Sequence, residues 1–194
     1  MESGGLRERG KARRRLAVQT AAFGLFAEQG YRTTTMAQIA RRADVAERTV
    51  ALHFGSKPEL ALSLVAAWSA RLGARLRERP DGVRVLDLVV DSVREVGGEE
   101  LDDGLRESVR RAFVADPELR ALRWARADAQ TAGLAAAFAA EAGLPADDVR
   151  PRLVAAAVTA VLLEVADVPP GPGQATAVEQ GIALVRAAAG TLPG

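Results

Sequence analysis

Arg48 carries a planar, permanently charged fork of N–H donors, the group best matched to O6 and N7 of a guanine. Other residues with the chemistry of nucleic-acid contact stand near it. Glu47 can accept from a cytosine amine, or simply favour the positive end of a helix that begins there. Thr33 and Thr34 offer hydroxyls and amides at a helix start, where a phosphate is readily held, and one of the two is expected to touch a DNA backbone. Lys57 stands in the first turn of a further helix, against its dipole unless an anion is near, so a phosphate contact is expected. Other chemistries have little to work with. The 194 residues include no Cys and one His, His53, which removes disulfides, thiolate metal sites and His-rich metal sites. No nucleophile has a partnering base. A carboxylate pair stays open as chemistry, but no spacing marks one, so neither an enzyme, a metal nor a cofactor is expected.

Positioning these side chains requires two short helices at a sharp angle, within TMAQIARRADVAERTVALHFGSK at 35–57. In the first, Met36, Ile39, Ala40 and Ala43 share one face at i, i+3, i+4, i+7. Thr35 with Gln38 three residues on reads as a capping box. Asp44-Val45-Ala46 is then a tight connection whose Val45 tucks between the helices. The second helix, 47–54, turns Val50 and Phe54 inward and leaves Glu47, Arg48, Thr49, Leu52 and His53 outward. This arrangement fits a DNA major groove. Before it, Val18, Ala22, Leu25 and Phe26 mark an amphipathic helix that Gly30 ends, with Phe23, Phe26 and Tyr31 expected in the core.

AAFGLFAEQGY at 21–31, TTTMAQIARRADVAERTV at 33–50 and HFGSKPEL at 53–60 resemble the DNA-binding domain of the TetR family of transcriptional regulators. The resemblance implies that Thr49 contacts phosphate or a thymine methyl and that His53 contacts phosphate. It also implies an all-α fold, with three helices that bind DNA and six that form a ligand-binding, dimerising body. Two departures stand out. Ala51 occupies the place of the family's usual aromatic residue, so a phenol bonded to phosphate is missing. Ala46 replaces the usual Ser cap of the second helix, at a cost of about 1 kcal/mol.

Net charge is +1, but it is unevenly spread. Through Lys57 there are 11 Lys and Arg against 5 Asp and Glu, and beyond it 15 against 20, giving +6 and −5. A basic head on an acidic body orients that head toward a polyanion. Residues 1–57 are accordingly expected to be an N-terminal arm and helix-turn-helix domain, and 58–194 a helical effector-binding and dimerisation domain. Arg7, Arg9, Lys11, Arg13, Arg14 and Arg15 make the arm basic; it is expected to fray, and either reaches phosphates or the minor groove or is a solvated tail. The charged N-terminus is not a secretory signal, and the most apolar run, 153–163, has 11 residues where about 20 are needed to cross a bilayer. A cytoplasmic protein is expected.

Beyond Lys57 the apolar spacing predicts helices over about 60–76, 85–96 (closed by Gly97-Gly98), 102–115, 117–142, 148–168 and 174–192, with PPGPG at 169–173 as a stiff connection. That makes nine helices. LVAAAVTAVLLEVADV is apolar nearly all round and must be covered on every side, either by a second subunit or within its own. A homodimer through the last two helices is the expectation, and it suits a palindromic operator. A small-molecule effector is implied by the resemblance, and an apolar one is expected. Trp68, Phe113, Trp124 and Phe138 are the rings that can line its pocket or be core, and Arg110, Arg111, Arg123 and Arg126 can meet an anion or be solvated. The expected function is a ligand-responsive DNA-binding regulator, a repressor released by its effector. The alternative is a helical ligand-binding or adaptor protein without specific DNA binding.

Overall fold

The computed structural model describes residues 2–96 and 102–193, and among these every regular element is an α-helix. They are α1 (Glu2–Gln29), α2 (Met36–Arg42), α3 (Glu47–His53), α4 (Lys57–Arg77), α5 (Val85–Val96), α6 (Asp103–Ala115), α7 (Pro117–Glu141), α8 (Val149–Asp167) and α9 (Pro172–Ala189). Several boundaries differ from expectation, two of them for a readable physical reason. The basic N-terminal segment is helical from Glu2 rather than frayed, in keeping with the good helix propensities of Leu, Arg, Lys, Glu and Ala. Pro172 opens α9 instead of belonging to the connection, because a missing N–H is no loss in a first turn. Gly97-Gly98 lies outside the described residues.

The chain forms two compact units. The first comprises Met1–Leu64 and Asp103–Leu122; the second comprises Val65–Asp102 and Arg123–Gly194. A division at residue 57 follows the helix-turn-helix motif, whereas packing adds residues 58–64 and 103–122 to the first unit. In that unit α1 packs on α2, α3 and α6. Its core holds Val18, Ala22, Phe23, Phe26, Ile39, Val50, Phe54, Leu60 and Phe113. Phe23 stands edge-on to Phe26 at 5.7 Å and tilted against Phe113 at 6.1 Å. A buried Gln19 amide donates to Ser63 Oγ at 2.8 Å, satisfying two polar groups that burial would otherwise penalise. Three helices of this length bury little area unaided, and α6 supplies Leu105, Ala112 and Phe113 to complete the layer.

The second unit centres on α8, which packs on α5 and α9. Val154, Ala155, Val158, Leu162 and Val165 face Val85, Val89, Val93, Leu134, Phe138, Ile182 and Val185 in one cluster. Gly181 permits close approach of α9, since a Cβ there would lie 2.7 Å from Val161 Cγ1. Arg123, almost fully buried, forms a bidentate pair with Asp167 at 2.7 and 2.6 Å. On the outer face of α8, Leu153 is 62 % exposed.

Candidate nucleic-acid interface

The turn between α2 and α3 is built by hydrogen bonds that end one helix and aim the next. Asp44 adopts a left-handed conformation (φ 52°), one that Asp tolerates better than most L residues. Its amide donates to Arg41 O at 3.3 Å and that of Val45 to Ala40 O at 3.0 Å. This pair of bonds is the Schellman arrangement, with Asp44 in the place glycine usually takes. At the other end of α2, Thr35 accepts from the Gln38 amide at 3.2 Å and Gln38 Oε1 accepts from the Thr35 amide at 2.7 Å, the expected capping box. Ala46 leaves α3 without a side-chain cap.

Held this way, α3 buries Val50, with Phe54 buried just beyond it, and presents Glu47, Arg48, Ala51 and Leu52 to solvent. Leu52 is 84 % exposed, a large apolar side chain with nothing from its own chain over it. Thr49 and His53 are half-buried at the edges of this face. Glu47, Arg48, Thr49, Leu52 and His53 therefore share one short helix.

Of the residues offered for phosphate, Thr34 and Lys57 are engaged within the chain itself. Thr34 is buried; its hydroxyl donates to Gly30 O at 2.8 Å and accepts from Gln29 Nε2 at 3.2 Å. Of the two threonines only Thr33 is exposed, its hydroxyl turned toward the carbonyls of Gln29 and Gly30. Lys57 donates to Tyr31 O at 2.8 Å, Thr34 O at 2.9 Å and Arg32 O at 3.3 Å, and its ammonium lies 4.2 Å above the Tyr31 ring. Three donors meet three carbonyls. Carbonyl dipoles at Lys57 thus offset its conflict with the helix dipole.

Other contacts were not legible in the sequence. Arg15 lays its guanidinium 4.3 Å over the Phe54 ring and donates to His53 O at 3.1 Å, tying α1 to the last turn of α3. Burial pushes the His53 imidazole below its ordinary value of 6.5, and Arg15, Arg14 and Lys11 push it the same way. Asp116 caps α7 by accepting from the amides of Glu118 (2.9 Å) and Leu119 (3.2 Å), as the Asp-Pro-Glu sequence suggests. Its second oxygen accepts from the Tyr31 amide at 2.9 Å, a bond over 85 residues of chain.

The four rings considered for an effector do not share one environment. Phe113 is in the core of the first unit against Phe23. Trp68 is partly buried against the core of the second unit, and Trp124 is 46 % exposed. Phe138 lines a cavity of about 490 Å³ in that unit, with Val83, Leu86, Leu192, Arg79 and Glu141 among its walls. Of the arginines, Arg123 is committed to Asp167 and Arg110 pairs with Glu107 at 2.7 Å. Among the described residues no group of three His, Cys, Asp or Glu is placed to hold a metal, and no helix is long and apolar enough to cross a membrane.

Comparison with known proteins agrees with this geometry. Residues 20–64 match the family model described as bacterial regulatory proteins, tetR family. The chain is 35% identical over 165 residues to the HTH-type transcriptional regulator TcmR of Streptomyces glaucescens, covering 81% of this chain and 73% of that one. Among solved structures it resembles Salmonella enterica GusR (TM-score 0.63, 25% identity, 92% of this chain and 95% of that one). It shares its fold with NalD, the secondary repressor of the MexAB-OprM multidrug efflux pump in Pseudomonas aeruginosa (TM-score 0.57, 21% identity, 90% and 96% covered). A helix-turn-helix with an uncovered second helix, together with a relative of this identity and coverage, places the chain in the TetR family of ligand-responsive, DNA-binding transcriptional regulators.

Proposed function

We propose that the chain binds a palindromic operator as a homodimer, with Arg48 reading a guanine edge and Glu47, Thr49 and Leu52 contacting neighbouring bases or phosphates. Thr33 and His53 add backbone contacts beside the groove. The observation that carries this reading is the division of α3: Val50 is buried, Phe54 is buried just past its end, and Arg48 and Leu52 are uncovered. A helix so divided can enter a groove without disturbing its own core. Dimerisation runs through the outer faces of α8 and α9, where Leu153 and Leu184 are 62 % and 64 % exposed. The effector is small and mainly apolar and is taken up in the second unit, with Phe138, Leu86 and Leu192 as apolar wall. It acts by binding one conformation of the dimer better than the other, and repression is relieved by that difference alone. The protein acts in the cytoplasm, where its operator is.

Selection of bound fragments from a random duplex pool by the purified protein tests this. The expected product is an inverted repeat with half-sites one helical turn apart, about 10 bp, or a multiple. A protein that sediments as a monomer at micromolar concentration and selects no inverted repeat would overturn the reading.

A further inference from the structure

The face by which α1 packs does not stop where the core stops. Val18, Ala22 and Leu25 lie on the buried stripe of α1, and the same stripe continues backward at helical spacing through Arg15, Arg14 and Lys11. Arg15 is half-buried on Phe54 and His53 O, which brings this end of α1 against the last turn of α3. Lys11 and Arg14 are exposed, and among the described residues no carboxylate pairs with either. Both act electrostatically on His53, so they stand near the end of the presented face and not far out along a detached tail. Three cations and an imidazole thus gather at one end of α3, where a polyanion passing along that helix would meet them.

From this geometry we infer that the N-terminal part of α1 is a second DNA-contacting element, in which Lys11 and Arg14 neutralise phosphates flanking the groove entered by α3. Arg15 is a positioning residue that fixes the end of α3 against α1. The inference rests on α3 being the recognition helix. It assigns phosphates and not bases, because the cations lie beside α3 and not on its presented face.

The test compares wild type, K11A/R14A and R13A on a random duplex about three helical turns long and on fragments selected by the wild type. Arg13 is exposed and lies about 140° round α1 from Val18, so R13A removes a charge from the same segment but from the other face. Losing two phosphate contacts in each protomer, four in the dimer, should lower the slope of log K against log salt by about 3.6, equivalent to about 900-fold weaker binding at 0.15 M salt. The ratio of selected to random affinity should stay as in the wild type, and R13A should leave the slope unchanged. Circular dichroism melts matching the wild type would confirm that the exposed substitutions leave the fold intact. A K11A/R14A slope equal to that of wild type, or lowered no more than by R13A, overturns the inference, as does a collapse of the selected-to-random ratio. A wild type that binds every duplex equally, with a slope still lowered in K11A/R14A, overturns the recognition role of α3 while leaving this element standing. No binding by the wild type at low salt overturns both.

Discussion

Replacing Lys57 by methionine keeps an unbranched stem of similar length and deletes the ammonium. Three hydrogen bonds go with it, to Tyr31 O, Thr34 O and Arg32 O at 2.8, 2.9 and 3.3 Å. The stacking on Tyr31 at 4.2 Å goes too. A hydrogen bond to a charged group contributes roughly 1.5–3 kcal/mol, and a partly exposed cation–π contact roughly 0.5–1. The bond to Arg32 is long and exposed and counts for little. Water also reaches part of the site, so the sum is discounted to about 2–4 kcal/mol. For a unit of this size that is a melting temperature lower by roughly 8–32 °C. Urea denaturation gives the free energy, and a salt titration of DNA binding separates the two roles open to this lysine. With Lys57 serving the turn after α1, K57M is less stable, while the salt slope of the protein that remains folded is unchanged. Lys57→Arg should rescue poorly, because a planar fork cannot aim three donors at oxygens that converge on one point. A K57M protein as stable as wild type, with a slope reduced by about 1.8 for the dimer, would refute the reasoning and restore the phosphate contact expected from sequence.

Arg48→Ala should weaken binding to selected fragments by about 1–3 kcal/mol per half-site and flatten preference at one base pair of each half-site, read by repeating the selection with the variant. Gly181→Ala places a methyl 2.7 Å from Val161 Cγ1; overpacking of roughly 1–3 kcal/mol less about 1 for better helix propensity leaves a net loss of about 1, measured by urea denaturation. His53 titrates below 6.5 in the folded chain, so protonation favours unfolding. Its contribution to stability is present above pH 6.5 and is lost as pH falls through the folded value, so acidification should destabilise wild type more than His53→Gln. An NMR titration should also show the imidazole rising toward 6.5 in K11A/R14A without reaching it, since burial is the larger cause.

What could be read directly from the chain is what depends on neighbours a few residues apart. The faces of α2 and α3, the Thr35–Gln38 capping box, the missing cap at Ala46 and the Asp116-Pro117 start of α7 all follow from spacings of four residues or fewer. The basic head was legible for the same reason, since charge along a segment is a local count. Spacing also offered one of Thr33 and Thr34, and Lys57, for phosphate. It shows that a hydroxyl or ammonium is available, but not which acceptor arrives first.

Only the tertiary structure decided that. Lys57 meets carbonyls 23 to 26 residues away, Arg15 reaches His53 across 38, and Asp116 meets the Tyr31 amide across 85. From the sequence Phe113 could line a pocket or be core, and it packs on Phe23 and completes the core of the first unit. Polar groups and rings of this kind carry no periodic signature. Their partners are set by which helices the core brings together, and burial then requires each donor and acceptor to be satisfied by whatever lies within reach.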